Sequence, residues 1–117
     1  MKILIVDDNL ATRDSFKRML EIYGHVVQEA GCVEEAKAAF NDQDAVISDY
    51  DLGHGETGAE FLVWVKEKRP CTKTAMLSGL NRPDNEAADI QLVLGIESID
   101  QIRGWLQEVE SSLGLEY

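Results

Sequence analysis

Three carboxylates close two short apolar runs: Asp7 and Asp8 follow Ile3-Leu4-Ile5-Val6, and Asp49 follows Ala45-Val46-Ile47-Ser48. If the runs are neighbouring parallel strands, the acids meet at one sheet edge, where open α/β sheets bind ligands. Two like charges about 4 Å apart repel by roughly 4 kcal/mol at an effective dielectric near 20. Such a cluster must hold either a proton or a cation. Oxygen-only donors suit a hard metal such as Mg2+, which takes one or two carboxylates together with water and phosphate oxygens. The chemistry this arrangement points to is phosphoryl transfer.

The elements that must position these acids follow from periodicity. Lys2–Val6 reads as a buried parallel strand. Asn9 can cap a helix running to about Tyr23, with Phe16, Met19, Leu20 and Tyr23 on one face, and Gly24 stops it. His25–Ala30 is a second strand, Val33–Phe40 a second helix with Ala36, Ala39 and Phe40 inward, and Ala45–Asp49 a third strand. Asp51–Thr57 holds two glycines among polar residues and reads as a loop.

Gly58–Lys68 follows as a helix that buries Phe61, Leu62 and Val65, and Pro70 ends it. Thr74–Leu77, finishing at Ser78, and Ile90–Leu94 are the fourth and fifth strands. Ser98 opens the last helix, whose docked face carries Ile99, Ile102, Leu106, Val109 and Leu113. Strands alternating with helices predict a parallel sheet with right-handed crossovers that cover both faces. Between Gly79 and Asp89 the pattern breaks. Asn81, Arg82, Pro83, Asp84 and Asn85 leave only Glu86-Ala87-Ala88 for helix, so a loop or single turn is expected there.

Composition bounds the partners. The 117 residues are 44% apolar, enough for one domain with a real core. With 22 acids against 11 bases the net charge is −11, which argues against nucleic acid and anionic membranes. Basic or mixed-charge protein partners fit better. Cys32 and Cys71 have neither zinc spacing nor a secreted disulfide framework and read as reduced thiols. No apolar stretch approaches the roughly 20 residues that span a bilayer. An acid at position 7 also argues against a secretory leader, so a cytoplasmic protein is expected.

These residues carry a family resemblance. Lys2-Ile3-Leu4-Ile5-Val6-Asp7-Asp8-Asn9 resembles the first strand and acid pair of response-regulator receiver domains. Gln28-Glu29-Ala30-Gly31 with Glu34-Glu35-Ala36 resembles their second strand and helix, and Ala45 to Leu52 followed by Gly58 their phosphorylated strand and loop. Ala75-Met76-Leu77-Ser78-Gly79 resembles their hydroxyl-bearing strand end. The ordered set spans residues 1–117 as a single receiver domain without an output domain. It implies a flavodoxin-like, doubly wound five-stranded parallel sheet, (βα)5 with a shortened or missing fourth helix.

The resemblance also implies site roles. Asp49 would accept a phosphoryl group from a histidine kinase or a phosphotransfer protein. Asp7 or Asp8, or both, would position Mg2+, with Asp49 and the backbone carbonyl of Asp51 in its shell. Ser78 would hydrogen-bond the phosphoryl group. Each has a plainer reading: one of the pair Asp7 and Asp8 can cap the next helix, Asp51 can simply face solvent, and Ser78 can be an ordinary strand-end serine. His54 reads as an exposed loop histidine.

Two departures matter. The family's lysine at the end of the last strand is replaced by Gly95 within Val93-Leu94-Gly95-Ile96, and Arg82 is either its substitute or a solvated loop residue. The reduced fourth helix, Leu92 where an aromatic is usual, and Gly53 where a proline is usual weaken the standard output relay. The favoured expectation is a stand-alone, atypical receiver that signals through contacts with a downstream protein, with a homodimer as an option. The alternative is a pseudo-receiver that binds partners independently of phosphorylation. Asp49-Tyr50-Asp51 also resembles the aspartate pair of haloacid-dehalogenase-type phosphatases, but it follows the wrong strand and lacks an evident basic group. The chain is expected to catalyse at most its own phosphorylation and dephosphorylation.

Overall fold

The structure is a computed structural model that describes residues 1–78, 87–93 and 98–114. Its strands are β1 (Lys2–Val6), β2 (Val26–Ala30), β3 (Ala45–Asp49), β4 (Lys73–Ser78) and β5 (Ile90–Val93). Its helices are α1 (Leu10–Ile22), α2 (Val33–Ala39), α3 (Gly58–Lys68) and α4 (Ser98–Ser112). The strands form one sheet in the order β2-β1-β3-β4-β5, every pair parallel. This is the flavodoxin-like doubly wound order. Residues 79–86, with Arg82, and Gly95 lie outside the described residues, as does the shortened fourth helix expected there.

Alternation along β1 shows why both faces need cover. Ile3 and Ile5 point to the layer that holds Leu20 of α1 and Ile102, Leu106 and Val109 of α4. Leu4 and Val6 point to the opposite layer, with Val33 and Ala36 of α2 and Phe61, Leu62 and Val65 of α3. Burying a Leu or Ile side chain stabilises by about 1.5–3 kcal/mol relative to exposure, so both layers contribute heavily.

Helix faces follow the sequence pattern with three differences. Tyr23 is half-exposed because α1 ends at Ile22. Gly24, at φ +93°, turns the chain there, and the Arg103 guanidinium lies over the Tyr23 ring at 4.7 Å. Leu113 is 41% exposed just past α4, whereas Trp105 is buried and widens that helix's apolar stripe.

The strand order places a topological switch between β1 and β3. The chain leaves β1 through α1 to reach β2, then crosses the opposite face through α2 to reach β3. The two crossovers part above the C-terminal ends of β1 and β3, which opens a crevice there. Asp7, Asp8 and Asp49 stand at that edge.

One glycine keeps the edge closed. A Cβ on Gly58 would meet the Asp49 carbonyl oxygen at 2.1 Å and Ser48 Oγ at 2.7 Å. Only a bare Cα lets α3 start this close to β3, where Gly58 N–H donates to the Tyr50 carbonyl at 2.6 Å. Gly58→Ala should lower the unfolding free energy by about 1–3 kcal/mol through overpacking against backbone. Urea denaturation measures this, and a variant as stable as wild type would contradict it.

Candidate functional site

Backbone anchors fix Asp7 and Asp49 before any ligand is considered. Asp7 N–H donates to the Ala30 carbonyl at 3.1 Å, extending the β1–β2 ladder by one residue. The Asp7 carboxylate then accepts Asn9 N–H at 2.8 Å. Asn9 in turn caps α1, its side chain accepting Thr12 N–H at 3.0 Å. Asp7 is buried and Asp8 exposed, so the acid pair spans the crevice wall from core to solvent.

Asp49 ends β3, and its carboxylate accepts Tyr50 N–H at 2.9 Å. Tyr50 N–H also reaches the Leu77 carbonyl at 2.9 Å, which ties the β3 end to β4. Asp7, Asp8 and Asp49 each offer an oxygen, and these ligand atoms all lie within 4.8 Å of one another. Opposite ligands of Mg2+ stand about 4.2 Å apart, twice the metal–oxygen distance, so the three acids are near the spacing of a shared ion.

Electrostatics supplies an independent check on fit. Burial, reinforced by the Asp7, Asp8 and Asp51 charges, pushes the Asp49 carboxyl up to about 6, and Tyr50 N–H only partly opposes this. Asp7 is also raised, first by burial and then by Asp8, while Asn9 N–H and the Arg13 guanidinium pull it back. Without a cation the site is strained by its own charge. A hard divalent ion fits both the donor set and this imbalance.

The remaining expected residues fall around the cluster. Asp51 pairs with Thr57 in an isolated antiparallel bridge, and its side chain is exposed and accepts Gly53 N–H at 3.0 Å. Gly53 approaches the site, since a Cβ there would stand 3.8 Å from Asp8 Oδ2. Ser78 is buried at the end of β4, one residue past Leu77, the partner of Asp49 in the register. His54 is exposed at the loop tip with φ 53°, between Gly53 at 78° and Gly55 at 76°. Arg13 escapes the sequence reading. An arginine on an amphipathic helix looks solvated, and only the packing of α1 on the sheet puts it beside the acid pair.

Stability should report the imbalance directly. Asp49 titrates near 6 when folded and near 3.8 when unfolded, so the folded state holds its proton more tightly. That contribution is fully present below about 3.8 and is lost as pH rises through about 6. Discounted for solvent screening, the loss is about 1 kcal/mol, or about 4 °C in Tm. Metal-free Asp49→Asn should therefore melt above wild type at pH 7.5, with the gap closing toward pH 4. Thermal melts across pH, with and without Mg2+, test this, and a variant less stable than wild type at pH 7.5 would contradict it.

Comparison with known proteins finds the same fold and a matching family model. The family model described as response regulator receiver domain matches residues 3–104. No curated protein sequence matches the chain. Among solved structures, the response regulator TrrA from Thermotoga maritima in complex with Mg2+-BeF superimposes with a TM-score of 0.84 at 25% identity. That match covers 92% of this chain and 97% of TrrA. A CheY-like receiver domain protein from Methanospirillum hungatei has TM-score 0.84 at 25% identity, covering 98% of both chains. The chemotaxis response regulator CheY4 of Vibrio cholerae is 28% identical with TM-score 0.76, covering 92% of this chain and 97% of that one.

Proposed function

The chain belongs to the response regulator receiver domain family, and from that membership we propose that Asp49 accepts a phosphoryl group from a histidine kinase or phosphotransfer protein in a Mg2+-dependent reaction. The observation that carries this reading is the convergence of Asp7, Asp8 and Asp49 within 4.8 Å at the switch point of the sheet. The charge imbalance at Asp49 and the solved Mg2+-BeF complex of TrrA support it.

Asp7, Asp8 and Asp49, with the Asp51 backbone carbonyl, would hold the ion, which when bound offsets charge on the transferring oxygens. An Asp49 carboxylate oxygen attacks the phosphorus. The bond from the donor imidazole nitrogen to phosphorus breaks, and its electron pair stays on the imidazole. The Tyr50 N–H, 2.9 Å from the Asp49 carboxylate, orients the nucleophile. Ser78 donates to a phosphoryl oxygen of the product. The phosphorylated domain then signals by protein contacts, since a net charge of −11 disfavours nucleic acid and anionic lipid. Among the described residues no helix is long and apolar enough to cross a membrane.

Intact-mass spectrometry after incubation with a small acyl phosphate tests the proposal. Wild type with Mg2+ should gain one phosphoryl group, whereas Asp49→Asn, or wild type with chelator, should gain none. An unchanged wild-type mass, or equal labelling of Asp49→Asn, would contradict it.

A further inference from the structure

Arg13 is too well placed to be a solvated helix residue. Its side chain is only 15% exposed, and Nη1 donates to the Asp7 carbonyl at 2.8 Å. Nε lies 3.8 Å from Glu29 Oε1, outside hydrogen-bond range, and is a buried nitrogen with no hydrogen-bond partner. The guanidinium sits over Gly31, where a Cβ would come within 2.9 Å of Nη1. A largely buried cation beside an acid cluster, hydrogen-bonded to the Asp7 backbone and paired at 3.8 Å with Glu29, is suited to hold position.

We propose that Arg13 is the positioning residue of the acid cluster, its guanidinium clamping the β1 terminus from the slot over Gly31 so that Asp7 and Asp8 stay within ligand reach of Asp49. The inference deepens the phosphoacceptor reading and rests on it. Arg13 bonds the carbonyl of Asp7 while Asp7 N–H bonds Ala30, so both sides of that residue's backbone are fixed. The carboxylates can then face one another without the chain end rotating to relieve their repulsion.

Charge and position make opposite predictions, which makes the clamp testable. Charge alone says that removing a nearby cation should strengthen Mg2+ binding. Loss of the clamp should weaken it, by about 10- to 100-fold for an outer-shell partner. Arg13→Lys separates the two further: it keeps the charge but replaces the planar guanidinium fork with a single ammonium.

Calorimetric Mg2+ titration of wild type, Arg13→Met and Arg13→Lys reads this without a phosphodonor, with circular dichroism and urea denaturation confirming folding. The expected result is roughly tenfold or weaker binding in Arg13→Met, with partial recovery in Arg13→Lys. Equal or tighter binding in Arg13→Met overturns the clamp and leaves the phosphoacceptor reading standing. Absence of Mg2+ binding in wild type overturns both.

Discussion

Repulsion among carboxylates held at one edge of a parallel sheet is the constraint around which this domain is arranged. Asp7, Asp8 and Asp49 would separate if their chain ends were free. Asp7 and Asp49 are instead fixed by hydrogen bonds that tie β1 to β2 and β3 to β4, and Asp8 follows directly on Asp7. The sheet therefore stores electrostatic strain at the point where its two layers of helices part. Burial of the Asp49 carboxyl, reinforced by the charges of Asp7, Asp8 and Asp51, lifts it to about 6.

Close approach at Gly58 and Gly31 serves the same end. Gly58 brings the start of α3 against the backbone of Asp49, and Gly31 lets the Arg13 guanidinium reach the Asp7 carbonyl. One glycine shapes the acceptor's side of the crevice, the other the acid pair's side. Neither position has a left-handed backbone. At Gly58 the missing Cβ lets the start of α3 meet the end of β3, and at Gly31 it leaves room for the end of the Arg13 side chain.

Much of this was legible in the residues. Apolar runs that stop at an aspartate mark both strand ends and candidate ligands, so β1 and β3 could be placed together with their acids. Helix α3 was readable to its bounds because Phe61, Leu62 and Val65 mark its buried face and Pro70 ends it, and in the structure Thr57 caps it, accepting Glu60 N–H. Helix faces near the termini were not. Tyr23 and Leu113 keep the apolar spacing, but the chain turns at Gly24 and Gly114 and leaves them half-exposed. Arg13 was hidden for a different reason: its role depends on tertiary proximity to Gly31 and Glu29, which no local pattern encodes. The spatial neighbourhood of Ser78 and Asp49 likewise follows from β3 pairing with β4, not from their spacing.

Carboxyl-carbon NMR of Asp49 across pH, in metal-free protein and again with saturating Mg2+, tests the central claim most directly. Crowded, half-buried acids predict an apparent pKa near 6 without metal, falling well below that once a divalent cation balances the cluster. An Asp49 that titrates near the ordinary 3.8 and ignores Mg2+ would show that the three acids share no ion and no strain.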